Sequence, residues 1–142
     1  MKIHIISSRQ DIINTVNNAL PSNCQVTEYN NCSEFISKLL DYTDVDPIIV
    51  DVEWENNDIG TLVDSIIANR FTPPIIFFGN MRQEPGFSEK ICYEIVVPNC
   101  TDGNLKGAVN RAIKKSDTIR AMLVRLRSFQ TRFHQTGRKF GA

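Results

Sequence analysis

The acidic residue in the most suggestive setting is Asp51, which closes the apolar run Ile48-Ile49-Val50 and precedes a polar loop over residues 53–58. A carboxylate at the carboxyl end of a buried strand can act as a nucleophile, hold a hard cation or cap a loop, depending on what converges on it. Other short apolar runs end at Ser7 and Ser8, at Gly79 and Asn80, and at Val97 and Pro98. Trp54, three residues after Asp51, is a candidate lid over the same place, or an aromatic that packs on its loop. Gly79-Asn80 is a turn dipeptide, and its glycine would let a ligand approach the backbone closely. The set offers no histidine, lysine or second carboxylate pair for acid–base work, so an enzyme is not expected.

These residues meet only if the elements bring them together. Residues 2–7, 24–29, 48–50, 75–78 and 94–97 read as short strands rich in β-branched and aromatic residues. Between them, residues 11–20 carry Ile12, Ile13, Val16 and Leu20 at helical spacing, and Pro21 ends that helix. Ser33 is a candidate N-cap for a second helix bearing Phe35, Ile36, Leu39 and Leu40. Residues 59–69 form a third, with Leu62, Val63, Ile66 and Ile67 inward; a short helix over residues 87–92 is a further candidate. Strands that alternate with helices predict an α/β fold with a parallel sheet covered on both faces. The functional crevice of such a sheet lies beyond the carboxyl ends of the strands, where Ser7, Ser8, Asp51, Gly79, Val97 and Pro98 fall.

The order and spacing of these strand ends over residues 1–117 resemble the receiver domain of response regulators, which has a flavodoxin-like five-stranded fold. The resemblance implies an acidic pair after the first strand, a phospho-acceptor aspartate after the third, a Thr or Ser after the fourth and a Lys-Pro after the fifth. Together these bind magnesium and a phosphoryl group. Asp51 matches the acceptor, whereas Ser7-Ser8 replace the acidic pair, Gly79 the hydroxyl residue and Val97 the lysine, with Pro98 retained. Two carboxylates are missing, so Asp51 would hold magnesium nearly alone, with Glu53 nearby in sequence. The expected site is therefore a degenerate phospho-acceptor pocket without a bound metal or other cofactor, in which Asp51 can cap the loop by hydrogen bonds. A small-molecule sensor and an unusual phospho-acceptor are the alternatives to a signalling module that works without ordinary aspartyl phosphorylation.

The last element differs in kind. Leu105, Val109, Ala112, Ser116, Ile119, Leu123, Leu126, Gln130 and Phe133 follow alternating steps of four and three, a heptad seam. Residues up to 117 belong to the domain; residues 118–136 are expected to extend the last helix, and 137–142 to form a disordered tail. Ile119, Leu123, Leu126 and Phe133 would then have nothing left to pack on, which points to a homodimer through this helix. The net charge of zero hides an acidic body, −9 over residues 1–102, and a basic arm, +9 over residues 103–142. The arm could meet DNA, an acidic partner or an output domain, and its segment from Arg125 to Arg132 resembles the linker ahead of the DNA-binding domain in some transcriptional response regulators, as if the chain were the receiver portion of a longer one.

With 42% apolar and 23% charged residues, the composition is that of a globular domain. No apolar run approaches the roughly 20 residues of a membrane span. No signal-peptide pattern opens the chain, so a cytoplasmic location is expected. The four cysteines lack the CxxC spacing of metal or redox sites and are expected to be free thiols.

Overall fold

Ile48-Ile49-Val50 and Ile75-Ile76-Phe77-Phe78 have no polar residue to turn toward water, so both faces of these segments must be covered. In the computed structural model, which describes residues 1–38, 45–53, 58–68, 72–80, 91–97 and 103–140, with side chains of the last helix through residue 128, they are the central strands. The elements are β1 (Lys2–Ile6), α1 (Gln10–Ala19), β2 (Gln25–Tyr29), α2 (Cys32–Lys38), β3 (Ile48–Asp51), α3 (Ile59–Ile67), β4 (Ile75–Phe78), β5 (Tyr93–Val96) and α4 (Gly103–Phe140). All strand pairs are parallel, in the order β2-β1-β3-β4-β5, which is the flavodoxin-like arrangement.

The two-residue period of a strand divides the core. Ile3, Ile5, Ile49 and Ile76 face α1 and α4, where Ile13, Val16, Leu105, Val109 and Ala112 cover them. Ile6, Val50 and Phe77 face α2 and α3, under Phe35, Leu62, Val63 and Ile66. Each fully buried side chain of this size contributes about 1.5–3 kcal/mol of transfer free energy. His4 belongs to this packing: it is buried between the rings of Tyr29 and Phe35, with Tyr29 Oη 3.2 Å from its Nδ1.

Several boundaries shift from the sequence reading. Asn31, rather than Ser33, caps α2: its Oδ1 accepts from the Glu34 N–H at 2.8 Å, while the Glu34 carboxylate accepts from Asn30 N–H at 3.1 Å. The side-chain oxygen closest to the first free N–H groups wins, and Ser33 already lies inside the helix. Asp58 caps α3, accepting from Thr61 N–H at 3.0 Å. Ile91 and Cys92 lead straight into β5 instead of closing a helix, and β5 begins and ends one residue before its expected span. The backbone of α4 runs on to Phe140, so a helix stands where residues 137–142 were expected to start a tail. A single glycine such as Gly137 costs a helix only about 1 kcal/mol and need not end it. Leu39, Leu40 and most of the segment expected around residues 87–92 lie outside the described residues.

Parallel register brings the strand ends level. Ile6 pairs with Val50, Asp51 with Phe78, and Phe78 with Val96. Residues 7, 51, 79 and 97 therefore share one edge of the sheet, as the crevice requires.

Candidate functional site

Asp51 is the last residue of β3, and its side chain is fully buried. A carboxylate there needs donors, and it has them. Ser7 Oγ donates to Asp51 Oδ2 at 2.7 Å, and the Glu53 N–H donates to Oδ1 at 3.2 Å. The strongest partner is Arg9, whose guanidinium grips both oxygens: Nε to Oδ2 at 2.7 Å and Nη2 to Oδ1 at 2.5 Å. Such a fork-to-carboxylate pair combines Coulomb attraction with two aligned hydrogen bonds, which is what a buried charge needs to offset its desolvation.

Arg9 gets there because of where β1 stops. It is the N-cap residue of α1, in an extended conformation, and its side chain makes no cap hydrogen bond. Ser7 Oγ instead accepts the Arg9 N–H at 3.1 Å, so the Ser7 hydroxyl both fixes the turn and donates to Asp51. The side chain of Arg9, 29% exposed, is left to cross the crevice toward β3. Its affinity for the proton rises above the ordinary arginine value, first through the hydrogen bond to Asp51 and against the opposing effect of burial.

Glu53 adds a second carboxylate. Its Oε2 lies 3.5 Å from Arg9 Nη2, and its Oε1 accepts from the Asn80 N–H at 3.1 Å. A single network thus joins the ends of β1, β3 and β4. Gly79 makes room for it. Its φ is +127°, and a Cβ there would stand 2.9 Å from Glu53 Cγ and 3.0 Å from Val52 Cγ2. The position where the receiver pattern has a hydroxyl residue is sterically closed to a side chain, because Glu53 occupies that space.

The structure brings Ser7, Asp51 and Gly79 to one edge of the sheet and hydrogen-bonds Asp51 to Ser7 of the first loop. Ser8, expected beside Ser7, is exposed, and Arg9 joins the site instead. Val97 follows the end of β5 and is half-buried. Trp54 and Pro98 lie outside the described residues. Arg9 was missed because it reads as the start of a helix. Its signal was chemical: a lone basic residue in the loop facing a retained strand-end acid.

The residues present do not fit the magnesium that the receiver resemblance implies. Two serines stand where its acids would be, and a guanidinium already lies against both oxygens of Asp51. Among the described residues, no group of three or more His, Cys, Asp or Glu side chains is placed to hold a metal.

Burial along the described part of the C-terminal helix is greatest at its start. Leu105, Val109, Ala112 and Ser116 are buried, and Ser116 Oγ donates to the Val45 carbonyl at 2.7 Å. Ties to the body reach at least Arg120, which pairs with Asp46 at 2.5 Å and with Asp117 at 2.8 Å. Ile119 and Leu123 are half-buried, whereas Met122 (47%), Val124 (61%) and Leu126 (36%) are exposed. The side chain of Phe133 lies outside the described residues. Ile119 also borders a concavity of about 950 Å³ at the amino ends of β4 and β5, lined in part by Ile75, Ile91, Tyr93 and Ala112. No described helix is long and apolar enough to cross a membrane.

Compared with known proteins, the chain matches no protein-family model and no curated protein sequence.

Proposed function

We propose that this chain is a cytoplasmic signalling module: a receiver-like domain that controls an output through its C-terminal helix without ordinary aspartyl phosphorylation. The observation that carries the reading is the state of Asp51. Both its oxygens are engaged, by the Ser7 hydroxyl, the Glu53 amide and the Arg9 guanidinium. An acceptor aspartate must offer one oxygen as nucleophile while a cation and a lysine draw charge from the phosphoryl group. Here the cation belongs to the chain and covers both oxygens, and Val97 has no charge to offer. The module has no catalytic role of its own in this reading.

The output arm is the helix beyond residue 117, which pairs with a second copy. Ile119, Met122, Leu123 and Leu126 are spaced three and four apart and form one stripe, continuous at Ile119 with the concavity beside β5. Partner choice is where transcriptional control would enter, through the basic arm or a downstream domain.

The test of the phosphorylation claim is intact mass. Incubation with acetyl phosphate or phosphoramidate and magnesium should leave the mass unchanged. A stoichiometric gain of one phosphoryl group, abolished by Asp51→Asn, would overturn the reading.

A further inference from the structure

Resting on the reading that Asp51 is no longer a phospho-acceptor, we infer that Arg9 is a tethered cation: its guanidinium takes the place of a divalent ion between Asp51 and Glu53 and thereby positions the backbone at Asn80, just after β4.

The geometry separates this role from an ordinary surface ion pair. One guanidinium faces two carboxylates, from the end of β3 and the turn after it, at 2.5 and 2.7 Å from Asp51 and at 3.5 Å from Glu53. The Asp51 side chain is fully buried, so its charge cannot be left to solvent. Glu53 carries the effect onward, since the oxygen not facing Arg9 holds the Asn80 N–H at 3.1 Å. Three loops are thus tied to one cation, as the loops of a metal site are tied to its ion. The difference lies in permanence: an ion dissociates, whereas Arg9 is held at a fixed local concentration by β1 and α1. The crevice is therefore set in one state, independent of divalent cation concentration.

The consequence is specific. Removing Arg9 leaves two carboxylates and the Ser7 hydroxyl facing one space, an oxygen donor set that suits a hard divalent ion. An Arg9→Ala chain should lose thermal stability and regain it with Mn²⁺ or Mg²⁺. The regain should saturate and should exceed that given by NaCl at equal ionic strength. Apparent affinity for Mn²⁺ should be at least about tenfold tighter than in the native chain. Asp51→Asn in the same background should abolish the regain, and in amide NMR spectra the Asn80 signal should move back toward its native position on adding Mn²⁺-free Mg²⁺. Arg9→Gln, which keeps most of the side-chain volume, supplies the same measurements if Arg9→Ala does not fold.

A folded Arg9 variant with no cation-specific regain would overturn the inference. So would a native chain that responds to the cation as strongly as the variant does. The mass measurement on the native chain is independent of both. A phosphorylated native chain would remove the signalling reading while leaving the cation result to stand or fall by itself.

Discussion

The two partners of the Arg9–Asp51 pair are not equivalent. Arg9 is 29% exposed and can turn toward water when its partner is lost, whereas the Asp51 side chain is fully buried. Arg9→Ala should therefore cost about 3–5 kcal/mol, the cost of stranding a buried charge, and Asp51→Asn only about 1–2 kcal/mol. Urea unfolding of the two variants measures the asymmetry, and equal losses would contradict it. At Gly79, restoring a hydroxyl with Gly79→Ser should not rebuild a phosphoryl site. It should destabilise the chain by about 1–3 kcal/mol, because the added Cβ meets Glu53 in a backbone conformation that L side chains rarely adopt. Asp51 and Ser7 were legible in the sequence because strand ends are easy to count. Arg9 was not, because nothing in its position at a helix start announces that its side chain reaches across the crevice.

Among the elements, the strands were the most readable, since apolar runs of four β-branched or aromatic residues leave few alternatives. Helix ends were less so, because capping depends on which oxygen the turn presents, as Asn31 shows at α2. That helix carries a further prediction. Cys32 is buried beside the core, and burial, helped by the charge of Asp58, pushes its thiol from 9.0 up to about 12. Below pH 9 the thiol is protonated whether the chain is folded or not. Between there and pH 12 only the unfolded chain gives up the proton, so this group makes stability fall as pH rises through that window. Cys32→Ala should flatten that part of the pH–stability curve even though it loses packing at neutral pH. In the native state, thiol reagents should label Cys24 and Cys92, both half-buried, well before Cys32.

For the molecule as a whole, the acidic body and basic arm decide how copies would meet. Beyond Asp117 the chain has no acidic residue, so two parallel arms repel through Arg125 and Arg127 while their apolar stripes attract. A dimer through the arm should therefore tighten with salt, as read by sedimentation equilibrium. Leu123→Asp combined with Leu126→Asp should give a monomer whose circular dichroism shows the domain still folded, since neither residue is in the core. A native chain that is monomeric at high micromolar concentration would contradict pairing through this helix. The fold class follows from the alternation of strand and helix patterns, whereas the apolar seam of α4 is unbroken and does not by itself mark where the helix leaves the body. Partner identity is not legible either, because an apolar stripe on a basic helix specifies an area and a charge rather than a sequence.

Closure of the crevice around Asp51 by the chain's own arginine carries one decisive expectation. It is tested most directly by the backbone amide signals of Ser7, Val52, Glu53 and Asn80 in two-dimensional ¹⁵N NMR, recorded as magnesium and beryllofluoride are added together. The Glu53 and Asn80 amides donate into the network and those of Ser7 and Val52 flank it, so any phosphoryl-like ligand that reached Asp51 would have to displace Arg9 and disturb all of them. No change beyond that caused by salt of equal ionic strength is expected. Concerted, saturable shifts at these four positions would contradict it.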